Sequence, residues 1–313
     1  MNQQRLIMIA SILMLLFMGC TRNSPTDIQP SWLDSSDYLA PSLSDPNYLV
    51  SSRFESPSDL ILNTPVIIAV HGFTASTFEW QEFKTYAEAN ANVLVSLVLL
   101  GAHGRSYDSF KQASWQDWAA PIMEEYNRLV ELGYTQIGLA GASTGGTLIA
   151  NAIETTLWQQ APRAVFFVDT LVVPKDKMLY LVPYAHYFLS DQKSKSINDA
   201  DRAYWYTYRP VEALKQLESV AETLRSQLEW GITLPAGTSG FIFQSQRDPT
   251  VDPISAYLLY KGLRDSHGNR LSVSTYDSDL HVLTRLDNRD LVTDKDRQNQ
   301  RDIYTQIISA MTP

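Results

Sequence analysis

The chain has 313 residues, of which 44% are hydrophobic, and its formal net charge is −9 at pH 7. A chain of this length and composition has enough apolar side chains for one large α/β domain or two small ones, which excludes an intrinsically disordered protein. The negative charge argues against a nucleic acid or another polyanion as a partner.

The first 19 residues have the layout of a secretory signal peptide. A polar start with one positive charge precedes an apolar run over 6–19, which is too short to span a bilayer comfortably. Cys20, the only cysteine of the chain, follows this run directly, and the stretch 16–20 resembles a bacterial lipobox. The resemblance implies that a lipidated Cys20 anchors the protein to a membrane, and Thr21 after it implies the outer membrane of a bacterial cell envelope. An ordinary signal peptide with a chance cysteine is the alternative.

Residues 20–46 are predicted to form a tether that begins at the lipidated cysteine. They are rich in Ser, Pro and Asp and have few periodic apolar positions, as is typical of a linker. The folded domain is therefore expected over 47–313.

From residue 65 onward, short apolar runs typical of buried strands alternate with stretches of helical periodicity. The predicted strands are 65–70, 92–100, 136–140, 164–173, 241–244 and 271–276. The predicted helices are 76–89, 115–132, 146–154, 211–230, 253–263 and 296–311. This alternation predicts an α/β fold with a mostly parallel central sheet and helices on both faces.

The alternation stops between 174 and 210, where the chain becomes aromatic. With the helix that follows, this segment is predicted to form a cap over the active site, spanning about 174–232. Its aromatic side chains favour a hydrophobic acyl or aryl pocket, with packing in a core or interface as the alternative. They are Tyr180, Tyr184, Tyr187, Phe188, Tyr204, Trp205, Tyr206 and Tyr208.

A G-x-S-x-G pentapeptide over 141–145 lies between a predicted strand and a predicted helix. A serine on such a corner is held in a strained backbone conformation with its hydroxyl above the sheet, and small residues two places away let strand and helix approach closely. Ser143 is therefore the candidate nucleophile.

Four local patterns together resemble the α/β-hydrolase superfamily, and within it the serine carboxylesterases and monoacylglycerol-lipase-like enzymes. They are His71-Gly72-Phe73 after a strand, the corner at 101–104, the helix start at 115–118 and the serine elbow at 141–145. The resemblance covers nearly the whole chain after the tether. It implies an α/β-hydrolase fold and a catalytic triad in which the acid and then the histidine follow the nucleophile.

The resemblance implies His281 as the catalytic base. Three histidines follow Ser143, and only His281 comes shortly after the last predicted strand and before the closing helix. His186 falls in the predicted cap, and His267 lies in a polar turn, where a solvated histidine is the simpler interpretation.

The implied acid is Asp248, because the stretch 247–251 directly follows the strand at 241–244 and matches the acid loop of the superfamily. Asp252 is the near rival. A turn or N-cap role is the structural alternative for Asp248.

The resemblance also implies that the backbone N–H groups of Phe73 and Thr144 form the oxyanion hole, whereas His71 and His103 are interpreted as structural supports. No cluster of His, Cys and carboxylates has the spacing of metal ligands, and the sequence has no glycine-rich phosphate loop. The sequence therefore predicts neither a cofactor nor a metal.

These residues indicate a serine hydrolase that cleaves carboxylic esters with short to medium acyl chains, monoacylglycerol-like substrates among them, through an acyl-enzyme. The expected partners are an ester with a hydrophobic acyl group and the membrane reached through Cys20. An acyltransferase or thioesterase would use the same triad, and a non-enzymatic envelope lipoprotein that keeps the fold is the third alternative.

Overall fold

The computed structural model describes residues 31–35, 40–185, 191–194 and 198–312. The long strands of this part of the chain are β1 Val66–Val70, β2 Leu94–Val98, β3 Ile137–Ala142, β4 Ala164–Val168, β8 Ser239–Ser245 and β10 Ser272–Tyr276. The two-residue strands are β5 Gln192–Lys193, β6 Tyr208–Arg209, β7 Ile232–Thr233 and β9 Leu263–Arg264.

The six long strands form one sheet in the order β10-β8-β4-β3-β1-β2. Every neighbouring pair in it is parallel. The carboxyl ends of all six strands therefore meet at one edge, which is where open α/β sheets place their ligand and catalytic loops. This architecture confirms the predicted α/β-hydrolase fold.

The sheet has an apolar cluster on each face, because successive side chains of a strand point to opposite sides. In β1, Val66, Ile68 and Val70 belong to one cluster. Ile67 and Ala69 belong to the other. A strand covered on both faces needs an unbroken apolar run, which is what the sequence has here.

Helices on both faces complete the two clusters. Trp115–Leu132, Thr144–Thr155 and Val211–Trp230 contribute to the first. Gln81–Asn90 and Asp294–Met311 contribute to the second. The other α-helices of the described residues are Val50–Arg53, Asp59–Leu62, Tyr107–Gln112, Val182–Ala185 and Ile254–Gly262. In the part of the chain that the structure describes, no helix has the length and apolar character needed to cross a membrane.

The predicted helices over 115–132 and 211–230 are confirmed at both ends. The predicted strand over 164–173 is wrong beyond Val168, where β4 ends. Asp169 follows with φ 43°, a left-handed conformation that an extended strand cannot contain. The apolar residues after it are buried in a loop.

Part of the predicted tether packs on the domain. Leu33 and Leu43 are buried in the first core cluster. The Thr77 hydroxyl donates to the Leu43 carbonyl at 2.9 Å, and Asp34 accepts a hydrogen bond from the Thr207 N–H at 3.2 Å. The packed part of the chain therefore includes residues before 47. Residues 1–30, with the predicted signal peptide and Cys20, lie outside the described residues.

The chain predicted as the cap follows β4 and returns to the sheet at β8. Its described parts comprise short 3-10 helices, the antiparallel pair β5 and β6, and the long helix Val211–Trp230. Tyr206 shows how closely it is attached, because the ring is fully buried and stacks on Phe110 with ring centroids 4.4 Å apart. Its hydroxyl oxygen lies 3.0 Å from each of the carbonyl oxygens of Ala102 and Arg105, which share its one proton. Tyr206 therefore packs in the core, which is the alternative to a role in the substrate pocket.

Candidate active site

Ser143 lies on the corner between β3 and the helix that begins at Thr144, and it has φ 50° and ψ −120°. This is a strained conformation for a residue with a side chain, and it persists only where the surrounding structure imposes it. Here the Ser143 N–H donates to the Val168 carbonyl at 2.9 Å, and the Ser143 carbonyl accepts from the Leu171 N–H at 3.2 Å. The side chain is 7% exposed. Its geometry is that of a nucleophile elbow.

The glycines of the elbow are required by close backbone approach. A Cβ on Gly141 would lie 2.4 Å from the Gly146 nitrogen, and a Cβ on Gly145 would lie 2.4 Å from the Val70 carbonyl oxygen. Both positions therefore exclude any larger residue. The close contact between Gly145 and the end of β1 also brings the loop after β1 against the serine.

Asp248 and His281 follow the neighbouring strands β8 and β10, and they form a pair. His281 Nδ1 lies 2.7 Å from Asp248 Oδ2, and Asp248 is fully buried. Asp248 Oδ1 accepts from the N–H groups of Thr250 at 2.7 Å and Val251 at 2.9 Å. Because an ionised carboxylate only accepts hydrogen bonds, the histidine proton belongs on Nδ1, which leaves the lone pair of Nε2 for a proton from elsewhere.

Asp169, directly after β4, accepts hydrogen bonds from two other segments of the site, the end of β8 and the loop that carries His281. Its Oδ1 accepts from the Ser245 N–H at 2.7 Å, and its Oδ2 accepts from the Val282 N–H at 2.9 Å. The neighbouring Val168 carbonyl holds the Ser143 N–H. One short stretch of chain thus contacts the elbow, the end of β8 and the loop of His281. Burial, followed by the negative charge of Asp248, raises the pKa of Asp169 to about 6.

The loop that carries His281 is itself strained and firmly held. Val282 has φ 61°, which is unusual for a β-branched residue. The Arg289 guanidinium donates to the carbonyls of His281 and Val282. Further along, Arg285 pairs with Asp201 of the predicted cap at 3.0 Å, so cap and loop are linked by a buried ion pair.

The charges around His281 favour its protonated form. Burial alone would lower the pKa of His281, but the adjacent Asp248, by charge and hydrogen bond, and the charges of Asp169 and Glu79 outweigh it and raise the pKa above its ordinary value. The imidazolium that forms when a base accepts a proton is therefore stabilised here. Among the described residues, the Ser143 hydroxyl makes no hydrogen bond to His281 Nε2; such contacts often tighten only when substrate binds.

Phe73 and Thr144 lie on the two segments that meet at the elbow. A Cβ on Gly72 would be 3.0 Å from Ser143 Cβ and 3.5 Å from Ser143 Oγ, so the residue before Phe73 touches the nucleophile. Within the described part of the chain, neither the Phe73 N–H nor the Thr144 N–H donates a hydrogen bond. Both groups therefore remain the candidates for an oxyanion hole.

His71 and His103 are buried supports of the surrounding turns. His71 Nε2 accepts from the Leu100 N–H at 3.1 Å, so its Nδ1 carries the proton and donates to the Gly72 carbonyl at 2.9 Å. Burial, together with the neighbouring His103, holds the pKa of His71 well below its ordinary value. His103 Nδ1 lies 3.1 Å from the Gly101 carbonyl oxygen.

Asp169, Asp248 and His281 are the kinds of residue that bind metals, and their ligand atoms lie within 4.8 Å of one another. These atoms are already engaged: the Asp169 oxygens accept from backbone and side-chain donors, and Asp248 holds His281. The arrangement is that of a hydrogen-bonded Asp–His pair supported by a second carboxylate.

Two acidic residues of the site were not predicted from the sequence, Asp169 and Glu79. Asp169 directly follows a buried strand, which is the position from which parallel sheets present functional side chains. Glu79 lies between Phe78 and Trp80, and no motif around it marks its carboxylate as part of the site. His186 lies outside the described residues, and His267 is exposed in its turn.

A parallel sheet of this order, with a strained serine after β3 and an Asp–His pair after β8 and β10, defines an α/β-hydrolase. The chain belongs to the prolyl oligopeptidase family (Peptidase_S9), whose family model matches residues 81–297. The matched region contains Ser143, Asp248 and His281.

Curated relatives of the chain are ester hydrolases. The thermostable monoacylglycerol lipase of Bacillus sp. (strain H-257) is 27% identical over 231 residues, which cover 71% of this chain and 88% of the relative. The carboxylesterase of Bacillus subtilis (strain 168) is 20% identical over 228 residues, covering 72% and 88% respectively. The chain is thus a serine-hydrolase-like protein of the lipase and esterase kind.

Solved structures share the fold. A soluble variant of the monoglyceride lipase from Saccharomyces cerevisiae, in complex with a substrate analog, has a TM-score of 0.61 at 13% identity and covers 80% of this chain and 86% of its own. The monoacylglycerol lipase of Paleococcus ferrophilus has a TM-score of 0.57 at 12% identity, covering 79% and 96%.

Proposed function

We propose that the protein hydrolyses carboxylic esters with short to medium acyl chains through an acyl-enzyme on Ser143. One observation carries this proposal: a strained serine lies at the sheet edge that also holds the hydrogen-bonded Asp248–His281 pair. A serine hydroxyl is a poor nucleophile until a neighbouring base takes its proton, and this pair supplies the base and its orienting acid.

In the first half of the reaction, Ser143 Oγ attacks the ester carbonyl carbon while its proton moves to His281 Nε2. The carbonyl oxygen becomes negative and accepts hydrogen bonds from the Phe73 and Thr144 N–H groups. The bond from carbon to the alcohol oxygen then breaks, and the imidazolium gives its proton to that oxygen. Asp248 keeps the imidazole in the reactive tautomer and stays ionised throughout.

In the second half, His281 takes a proton from water, and the resulting hydroxide attacks the acyl carbon. The bond to Ser143 Oγ breaks, the proton returns to the serine, and the carboxylic acid leaves. The charges that raise the pKa of His281 act in both halves, because the imidazolium forms in each.

An apolar cluster between the sheet edge and the predicted cap supports an acyl substrate. Phe73 packs against it, and it includes Leu171 after the elbow and Val251 close to Asp248. Its other buried members are Val182, Val211, Leu214, Leu217 and Ala221. Apolar side chains this near to the candidate catalytic residues suit a substrate with a hydrocarbon chain. The lipase relative makes monoacylglycerol the first natural substrate to test.

The test is a hydrolysis screen with the detergent-solubilised protein. We expect turnover of p-nitrophenyl esters with a maximum at short to medium acyl length, turnover of monoacylglycerol, and far slower cleavage of peptide p-nitroanilides. Added alcohol acceptors would reveal an acyltransferase as ester formation at the expense of hydrolysis. A folded sample that cleaves no ester, or prefers the anilides, would contradict the proposal.

We further propose that Cys20 is lipidated and holds the enzyme at the bacterial outer membrane, which rests on the lipobox-like sequence before it. Expression in a Gram-negative host with radiolabelled palmitate should label the wild type and place it in the outer-membrane fraction. Cys20→Ala should be unlabelled and absent from the outer-membrane fraction, with its esterase activity retained. Equal outer-membrane retention of the two proteins, or an unlabelled wild type, would contradict the anchor.

A further inference from the structure

Glu79 is a buried carboxylate at the turn after β1, for which the triad mechanism gives no role. It lies on the 3-10 helix Thr77–Trp80 and is 5% exposed. Its Oε2 accepts a hydrogen bond from the Gly72 N–H at 2.7 Å. On the same helix, Trp80 Nε1 donates to the Val70 carbonyl at 2.9 Å, so this short helix fixes the end of β1 at two points.

The two peptide groups that flank Gly72 are held by different side chains. Glu79 holds the N–H of the His71–Gly72 peptide, and His71 Nδ1 donates to the carbonyl of the Gly72–Phe73 peptide at 2.9 Å. A peptide group is planar, so fixing its carbonyl also fixes the direction of its N–H, which here belongs to Phe73. Glycine allows many angles between the two peptide planes. The hydrogen bonds from Glu79 and His71 are therefore both needed to fix that angle.

Gly72 is also the residue that brings Glu79 close to the nucleophile. The position of a Cβ on Gly72 lies 3.5 Å from Glu79 Oε2 and 3.5 Å from Ser143 Oγ. The carboxylate oxygen and the reacting oxygen therefore lie near the same point beside Gly72.

Residues of the His281 loop influence Glu79 by their charges. Burial raises the pKa of Glu79 above its ordinary value, although the charge of His281, the Gly72 N–H and the charges of Arg285 and Arg289 each lower it in part. In return, Glu79 is one of three carboxylates whose charge raises the pKa of His281, with Asp248 and Asp169. The charge of Glu79 therefore links the turn that holds Phe73 to the candidate base, His281.

We propose that Glu79 is a positioning residue for the ester hydrolysis proposed above, on which this inference rests. Its carboxylate fixes the turn so that the Phe73 N–H faces the substrate oxygen, and its charge stabilises the His281 imidazolium. The first role needs a hydrogen-bond acceptor and the second needs a charge. Two substitutions separate them, because Glu79→Gln keeps an acceptor without the charge and Glu79→Ala removes both.

The test compares kcat and kcat/KM for a p-nitrophenyl ester as functions of pH. The base must be neutral to act, so kcat/KM of the wild type falls as the pH drops through the pKa of His281, with a midpoint above 6.5. Glu79→Gln removes a negative charge beside His281, and its midpoint should move to lower pH by roughly 0.5 to 1 unit. Its plateau kcat should stay within about fivefold of wild type, because the acceptor remains.

Glu79→Ala should show the same shift and, in addition, a plateau kcat lower by about 10- to 100-fold with KM changed by less than about threefold, because a misdirected oxyanion donor affects the transition state most. The matched control is Glu125→Gln. Glu125 is a buried carboxylate that accepts from Ser51 and Ser96, and its pKa is set by groups other than those of the active site. Its midpoint should equal that of the wild type.

A midpoint for Glu79→Gln equal to wild type would overturn the charge role, and a plateau kcat for Glu79→Ala equal to that of Glu79→Gln would overturn the positioning role. If Glu79→Ala does not fold, as judged by circular dichroism, the pH profile and KM of Glu79→Gln decide. Failure of the wild type to turn over any ester would overturn the proposed function and this inference together. Wild-type behaviour of the Glu79 variants beside an active wild type would overturn this inference alone.

Discussion

Replacing Ser143 by alanine is expected to lower kcat for ester hydrolysis by about 10⁵-fold or more, the scale on which a serine hydrolase loses activity when its nucleophile is removed. The hydroxyl is the only atom removed, and the elbow that holds the residue at φ 50° stays in place. Alanine cannot form the acyl-enzyme. Any activity that remains would come from substrate binding and the backbone donors alone. The measurement is initial-rate kinetics on a p-nitrophenyl ester.

The matched control for this variant is Ser219→Ala, which removes the hydroxyl of an exposed serine on the helix Val211–Trp230. It should keep wild-type kinetics. Circular dichroism of the Ser143 variant should match that of the wild type, because no buried hydrogen bond of the side chain is lost. Ester turnover by a folded Ser143→Ala at more than a few per cent of wild type would show that another residue is the nucleophile.

Asp248→Asn is expected to reduce kcat by about 10⁴-fold, the size of loss known for the equivalent change in a serine protease triad. The side chain has to satisfy the Thr250 and Val251 N–H groups with one oxygen and His281 with the other. In asparagine the oxygen remains at the backbone donors, so the NH₂ group faces His281 Nδ1. Nδ1 must then accept, the proton moves to Nε2, and the imidazole can no longer act as base.

Asp252→Asn is the control for this change, because the sequence also offered Asp252 as a candidate for the catalytic acid. Asp252 pairs with Lys177 at 3.0 Å on the surface, and exposed pairs contribute about 1 kcal/mol or less. Its kcat should stay within about twofold of wild type, since the pair is not in contact with the triad. Loss of activity in Asp252→Asn with retention in Asp248→Asn would exchange the two assignments.

The strands and the serine elbow could be predicted because local sequence determines them. An apolar run such as 66–70 is recognisable without its neighbours, and Gly141 is required by a backbone contact with Gly146, which is close to it in the sequence. The pairing of Asp248 with His281 was implied by the resemblance. In the structure it follows from the adjacency of β8 and β10, in which Tyr276 lies beside Ser245.

The supporting acids could not be predicted in the same way, because their roles depend on contacts between distant parts of the chain. Asp169 matters through its bonds to Ser245 and Val282, which lie 76 and 113 residues away. Its left-handed φ also ends a strand that the apolar sequence continues. Glu79 reads as an ordinary residue near the start of a helix, and only the fold shows that its carboxylate turns back to Gly72.

The family name and the curated relatives describe enzymes that act on different bonds. The family is named for a peptidase, whereas the curated relatives are a lipase and an esterase. The same serine, histidine and aspartate can cleave either bond, so specificity depends on the pocket. The apolar cluster that includes Leu171 is the basis on which we propose an ester with a hydrocarbon acyl group.

The most direct test of the central claim, that Ser143, Asp248 and His281 act together on one substrate, is mapping of a fluorophosphonate adduct by peptide mass spectrometry. The account predicts a single adduct on the peptide that contains Ser143, none in Ser143→Ala, and labelling slowed by orders of magnitude in His281→Ala. An adduct on a different residue, or unlabelled wild type in a sample with native circular dichroism, would contradict it.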